Sequence, residues 1–214
     1  AGSYAVTAVV TGDFRQTYPG TGGVGRLTYA SKVDATSYAD LNAATFVTVS
    51  PDGKHLYVTG DINDALLVFR RDQATGAATY VQSLRDGVSG ANGLDGVKSV
   101  VISSDGAHLY TAGEYGDELG VFSRDAATGQ LTFVTSFTNG SGGVTGLDGP
   151  RSVTLSPDGN QLYVVGTDLA VFNRNPATGQ LTFATSLTTP SSAYSVAVSG
   201  DGEHLYVADA VDSS

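Results

Sequence analysis

Hydrophobic and polar positions alternate in short runs, and the runs recur. Each unit opens on a β-branched or apolar stretch, Phe46 to Val49, Val100 to Ile102, Val153 to Leu155 or Val196 to Val198. It then breaks at Asp-Gly and resumes as His/Gln-Leu-Tyr, as in SPDGKHLYV from Ser50, SSDGAHLYT from Ser103, SPDGNQLYV from Ser156 and SGDGEHLYV from Ser199. The pattern predicts strand, tight turn, strand, with Gly supplying the positive φ that other residues avoid. A third apolar segment follows, ending at Phe69, Phe122 and Phe172. A turn ending at Gly76, Gly129 and Gly179 then leads into a fourth strand, ATYVQS, LTFVTS or LTFATS. Four short antiparallel strands make one propeller blade, and a repeat of 53 and then 43 residues fits that architecture.

The predicted fold is all-β: a β-propeller of four-stranded antiparallel blades, four per chain, in one domain over residues 1–214. Repeats start near 44, 97, 150 and 193. The last unit contributes two strands before Ser214. At the other terminus, Tyr4 to Val10 alternates like a third strand and Arg26 to Ser31 copies the fourth-strand signature. Residues 1–31 are therefore expected to complete the last blade, a composite that would close the ring and remove exposed sheet edges. Closure within one chain and joining of two chains into an eight-bladed ring both fit the repeat.

The SPDG-x-x-LYV hairpin, the VF-x-R-D-x-x-TG-x-LTF segment and the GLDG-x-x-SV linker at Gly93 to Val100 and Gly146 to Val153 together resemble the repeats of lactonase-like β-propellers. That superfamily includes 6-phosphogluconolactonase and carboxymuconate-cyclizing enzymes. Its enzymes are typically seven-bladed. The resemblance implies a propeller scaffold and, as one reading, lactone hydrolysis; the motifs that carry it build blades and do not themselves mark a reaction.

Composition narrows the partners. A net charge of −10 argues against nucleic acid, which asks for a basic footprint, and against an anionic membrane surface. The acid is nearly all Asp, a turn former, so much of the charge is turn chemistry. No cysteine is present, which excludes disulfides and leaves the redox compartment open. The apolar stretch Tyr4 to Val10 is too short for a signal or membrane segment. An extracellular or periplasmic, bacterial-type setting is expected, with the chain a monomer or homodimer.

Ligand sites belong on the face formed by second-to-third-strand loops and inter-blade linkers, opposite the SPDG and DxATG turns. The loops carry Asp61, Asn63 and Asp64; Glu114, Tyr115, Asp117 and Glu118; and Asp168. The linkers add Asp95 and Asp148, with Lys98 and Arg151 just after them. The same register places Thr45 and Tyr194 beside Lys98 and Arg151, near the mouth of a central channel. Asp61, Asp64, Tyr115, Asp117, Glu118, Asp168 and Tyr194 are the candidate ligand-binding residues for a small molecule or carbohydrate. Asp95 and Asp148 are the candidate metal ligands, calcium being the ion that carboxylates and backbone carbonyls suit. No cofactor is required. The competing reading has Asp95 and Asp148 capping turns or pairing with Lys98 and Arg151. For lactone hydrolysis, Arg151 with Asp148 or Lys98 with Asp95 would polarise a carbonyl and activate water. His55, His108 and His204 share one register on separate blades, so they cannot converge on a metal, and the repeated tyrosines and phenylalanines are expected as core. The leading functional expectation is a secreted or surface binding module. The alternatives are a lactone hydrolase and half of an eight-bladed dimer.

Overall fold

A computed structural model describes residues 5–11, 28–34, 37–189 and 193–209. Three complete sheets occupy its middle. They are β3 (Ala44–Val49), β4 (His55–Gly60), β5 (Ala65–Arg71) and β6 (Ala78–Arg85); β7 (Val97–Ile102), β8 (His108–Gly113), β9 (Glu118–Arg124) and β10 (Leu131–Thr138); and β11 (Ser152–Leu155), β12 (Gln161–Val165), β13 (Asp168–Arg174) and β14 (Leu181–Thr188). Each runs in sequence order as an antiparallel meander, and the first strands of successive sheets lie beside one another. These are propeller blades, as the sequence pattern requires.

The chain's two ends behave differently from expectation. β1 (Ala5–Thr11) pairs with β2 (Thr28–Asp34), and β15 (Ala193–Val198) pairs with β16 (Leu205–Asp209), but these are two separate two-stranded sheets. The anticipated composite blade is not assembled, and the ring is not closed among the described strands. A strand signature states what kind of strand a segment forms; it does not say which edge that strand joins. No helix among the described residues is long and apolar enough to cross a membrane.

Apolar layers fill the spaces between blades. Tyr57, Leu66 and Val68 of the first blade meet Val100, Leu109 and Phe122 of the second, and Tyr110, Leu119 and Val121 of the second meet Val153, Leu162 and Phe172 of the third. The leucine of each GLDG linker is a plug in these layers, Leu94 in one and Leu147 in the next, both fully buried. Phe122 and Phe172 meet Phe133 and Phe183 of their own blades edge to face.

The repeated turns also explain themselves. In each SxDG hairpin the Ser hydroxyl donates to the Asp carboxylate two residues on, while its oxygen accepts the N–H that opens the next strand, as Ser50 does with Asp52 at 2.5 Å and His55 N at 3.0 Å.

Between blades the hairpin side of the molecule carries a polar clamp. Arg124, at the end of β9, reaches across to the first blade. Its Nε donates to the Tyr57 hydroxyl at 2.5 Å, Nη1 to the Gly106 carbonyl at 2.8 Å, and Nη2 to Asp52 Oδ2 at 3.1 Å and His55 Nδ1 at 2.9 Å. The Tyr57 hydroxyl in turn donates to the Gly129 carbonyl at 2.9 Å. Arg174 repeats the arrangement on the second blade, with Tyr110 at 2.6 Å, Gly159 at 2.9 Å, His108 at 3.4 Å and Asp105 at 4.0 Å. Arginine has only donors, so His55 Nδ1 must accept, which fixes its proton on Nε2. His55 and His108 are thus structural, as their shared register implied. Tyr163, in the third blade, turns its hydroxyl to Gln161 at 2.6 Å.

Gly129 makes the clamp's close approach possible. It sits at φ +78°, and a Cβ there would fall 2.2 Å from the His55 ring. Gly129→Ala is expected to cost at least ~2 kcal/mol in urea unfolding. Gly140→Ala, at φ +75° with nothing near its Cβ, isolates the backbone strain and should cost only ~1 kcal/mol.

Burial, and after it the Arg124 and Arg174 charges, hold the His55 and His108 imidazoles below their usual range. A histidine whose folded pKa is depressed takes up its proton first in the unfolded chain, so stability falls as pH drops below about 6.5. Above that pH both states are neutral and the histidines contribute no slope. Glutamine stands in this register at Gln161. The double variant His55→Gln, His108→Gln should therefore fold and lose this pH dependence, read from urea midpoints across the window.

Candidate functional site

The opposite face begins with a defect in the strand ladder. Thr45, Lys98 and Tyr194 each lie at a register shift of an inner strand, between Ala44 and Phe46, Val97 and Ser99, and Ala193 and Ser195. A bulge adds one residue and re-aims its side chain. Arg151 holds the corresponding place just before β11, its N–H bonded to Val165 O at 2.8 Å. The register expected from sequence is thus realised: Thr45, Lys98, Arg151 and Tyr194 stand side by side at the loop ends of adjacent inner strands.

Their partners differ from expectation. Lys98 Nζ binds Asp61 Oδ2 at 2.7 Å and Glu114 Oε2 at 3.1 Å, and Arg151 Nε donates to Glu114 Oε1 at 2.7 Å. The Arg151 guanidinium lies 4.5 Å from the Tyr194 ring centroid, and Lys98 Nζ lies 5.0 Å from that of Tyr115. Each cation therefore pairs with the loop carboxylate of the preceding blade, not with the Asp of its own linker. Asp61, Lys98, Glu114, Arg151 and Tyr194 form one continuous arc of alternating charge. Glu114 is its hub, and the sequence reading placed it in a loop without giving it that role. The signal was present: Asp61 and Glu114 each follow the glycine that ends a second strand, and each stands 37 residues before its cation.

The arc is shielded, with side-chain exposures of 16% for Asp61 and Glu114, 20% for Lys98 and 26% for Arg151. Burial alone would push Glu114 up, but its bonds to Arg151 and Lys98 outweigh that and hold it below the usual carboxylate range. Burial would likewise lower Lys98; its bonds to Asp61 and Glu114 raise it instead. Among the described residues, Asp61 Oδ1 is buried with no hydrogen-bond partner.

The remaining candidates divide into two groups. Asp64 and Asp117 hold the linkers, accepting the N–H groups of Gly96 and Gly149 at 2.8 Å each. Asp95 and Glu118 are pushed upward, chiefly by burial and then by neighbouring acids, Asp64 and Asp86 for Asp95, and Asp86 and Asp95 for Glu118. Tyr115 packs its ring onto Gly96, beside Asp95. Asp148 is exposed and lies in no ion pair among the described residues, and Asp168 opens β13. Asp95 and Asp148 sit on successive linkers and do not share a metal-sized cluster. The one such grouping among the described residues is Asp201, Glu203 and His204, on the hairpin side. A cavity of about 450 Å³ lies elsewhere, between β10 and β14, lined by hydroxyl and apolar side chains such as Ser136, Phe137 and Phe183 with no titratable group.

Glu114→Gln removes the charge shared by two cations. Melting temperature should fall, by about 1 kcal/mol of stability or less given partial solvent screening. The loss should shrink with added salt.

The model of a family described as Lactonase, 7-bladed beta-propeller matches residues 46–198. The uncharacterized protein YwcC of Lactococcus lactis subsp. lactis (strain IL1403) is 32% identical over 76 residues, 36% of this chain and 22% of that protein. Two solved structures share the fold. A Bacteroides fragilis NCTC 9343 protein with a provisional 6-phosphogluconolactonase assignment superposes with a TM-score of 0.70 at 20% identity, over 88% of this chain and 55% of its own. The Pseudomonas aeruginosa periplasmic gluconolactonase PpgL does so with a TM-score of 0.65 at 23% identity, over 85% and 47%. The chain thus spans about half the length of these solved structures.

Proposed function

Because the chain belongs to the lactonase family of β-propellers, we propose that it acts in the hydrolysis of a sugar lactone at the charged arc on its loop face. Of the readings open from sequence, this favours the hydrolase over the binding module. The observation that carries it is the pairing of two cations, Lys98 and Arg151, held at one mouth by Glu114 in a chain of this family.

The chemistry follows from the charges. Ring opening of a lactone places negative charge on the carbonyl oxygen as water adds, and a fixed cation lowers that barrier. Arg151 and Lys98 supply it, already oriented by Glu114 and Asp61. Tyr194 and Tyr115 are more than half exposed and offer flat faces to a sugar ring. Water needs a base with a free, moderately raised carboxylate. Glu114 is a poor one, since both its oxygens are engaged and its proton affinity is reduced. Asp95, on the linker beside Tyr115 and held above its usual range, fits better. The oxyanion formed by attack at the carbonyl collapses with cleavage of the ring C–O bond, and the freed alkoxide takes a proton to leave a hydroxy acid.

The periplasmic gluconolactonase among the structural neighbours makes an extracellular or periplasmic setting the favoured compartment. Calcium stays a secondary proposal, with Asp95 and Asp148 as its candidate ligands.

The test is lactone hydrolysis followed by pH-stat against the spontaneous rate, using gluconolactones with and without a phosphate. Arg151→Ala should lower kcat/KM by about a hundredfold or more, the scale of losing one transition-state donor. Catalysis unchanged in Arg151→Ala would remove the arc from the reaction, and catalysis unchanged in Asp95→Asn would remove Asp95 as its base.

A further inference from the structure

The outer strands of the complete blades meet at two interfaces, and the two are closed differently. Between the first and second blades, the Gln82 carboxamide on β6 spans the gap to β10. Its Nε2 donates to the Leu131 carbonyl at 3.0 Å, and its Oε1 accepts the Leu131 N–H at 2.8 Å. One planar amide thus satisfies both main-chain groups of a residue, as a neighbouring strand would. Those groups are available because the antiparallel ladder alternates. Arg124, opposite Leu131, sends its N–H to the Ala107 carbonyl, and Asp125 N–H meets the Gln130 carbonyl, so Leu131 turns both its groups away from its own sheet. Leu181 is set the same way on β14: Arg174, opposite it, bonds the Asn160 carbonyl, and Asn175 N–H meets the Gln180 carbonyl.

Between the second and third blades the carboxamide is missing. Thr135 holds the register of Gln82, opposite Val121 as Gln82 is opposite Val68, each just past the bulge in its outer strand. Two residues further along, Phe137 reaches the third blade, its ring centroid 5.2 Å from that of Phe172, so Thr135 faces the same way. Threonine is shorter than glutamine by two bonds, and the Thr135 hydroxyl leans on the Ser136 carbonyl at 3.5 Å. Leu181 N–H and C=O meet no partner among the described residues, although Leu181 is only 9% exposed. The cavity of about 450 Å³ opens at this point, with Leu181 and Phe183 on one wall and Ser136 and Phe137 on the other.

We propose that this cavity binds a small neutral molecule bearing a primary carboxamide on an apolar stem, its amide taking the place that Gln82 fills one interface earlier. The ligand NH2 donates to the Leu181 carbonyl and the ligand carbonyl accepts the Leu181 N–H. Phe137 and Phe183 give the stem its apolar contact. The lining selects against charge: it carries no titratable group, so a carboxylate would shed its hydration with no cation to receive it, and it has no proton to offer the Leu181 carbonyl. A buried main-chain donor and acceptor left without partners is itself costly, and an amide relieves both at once. Both walls belong to complete blades, and the inference is independent of the lactonase reading.

Saturation-transfer NMR of the full chain titrated with benzamide tests it. Binding is expected with a Kd on the order of 1 mM, the scale for so small a ligand. Benzoate, which lacks the donor, and N,N-dimethylbenzamide, whose donors are blocked, should each bind at least about tenfold more weakly. Thr135→Gln supplies the amide from the chain itself. It should raise the melting temperature by about 2–4 °C and weaken benzamide by about tenfold or more. Thr135→Glu, of the same size but without the amide donor, should bring no such rise. Circular dichroism reports that both variants are folded. No detectable benzamide binding overturns the proposal. So does equal binding of benzamide, benzoate and N,N-dimethylbenzamide, or benzamide binding unchanged in Thr135→Gln.

Discussion

A guanidinium withdrawn from water demands that each of its donors find an acceptor, and the blade stack is built around meeting that demand. The Arg124 side chain is 1% exposed and that of Arg174 is 2%. An isolated buried cation would cost several kcal/mol. Here Nε, Nη1 and Nη2 are all engaged, and the acceptors come from two blades, so the pairing is complete only when the blades are in register. Asp52 answers the cation from the neighbouring blade. Burial alone would raise its pKa, but the bonds from Ser50, Lys54 N–H and Arg124 dominate and leave it strongly depressed. The apolar layers hold the blades together without direction; the clamp fixes their relative position.

That division accounts for what could be read from the chain. Alternation and turn chemistry located every strand of the complete blades, because these signals are local: Gly at positive φ, Ser and Asp closing a hairpin, apolar residues every second position. The clamp uses the same repeated residues, yet its contacts join positions 64 to 72 apart in the chain, such as Arg124 to Asp52 and Arg174 to Tyr110. A repeat displays such residues without revealing that one unit's arginine serves its neighbour's tyrosine. The composite blade shows the same limit. Edge pairing is a choice among partners of equal local merit, and the local pattern is silent on it.

At the loop face, register placed Lys98, Arg151, Thr45 and Tyr194 correctly but assigned the wrong partners to the cations. Proximity in sequence suggested Asp95 and Asp148. At Lys98 a bulge adds a residue, between Val97 and Ser99, and the charge meets loop carboxylates on the preceding blade and on its own, whereas Arg151 reaches Glu114 from a β11 that pairs without a register shift. Composition announces neither the bulge nor a pairing between positions 37 residues apart on neighbouring blades.

The same geometry decides which carboxylate can do chemistry. A carboxylate bound by two cations is stabilised in its charged form, and the stronger that stabilisation, the weaker its pull on a proton from water. Glu114 is therefore the group that positions Lys98 and Arg151, and its electrostatic strength disqualifies it as their partner in proton transfer. Asp95 has the opposite environment, partly buried and beside Asp64 and Asp86, which favours the protonated form and makes it the better acceptor. In the proposed reaction these two acids, pushed apart in proton affinity by cations in one case and by burial and fellow acids in the other, would divide the work between holding a positive field and accepting a proton. A set of uniformly solvated loop aspartates would offer neither.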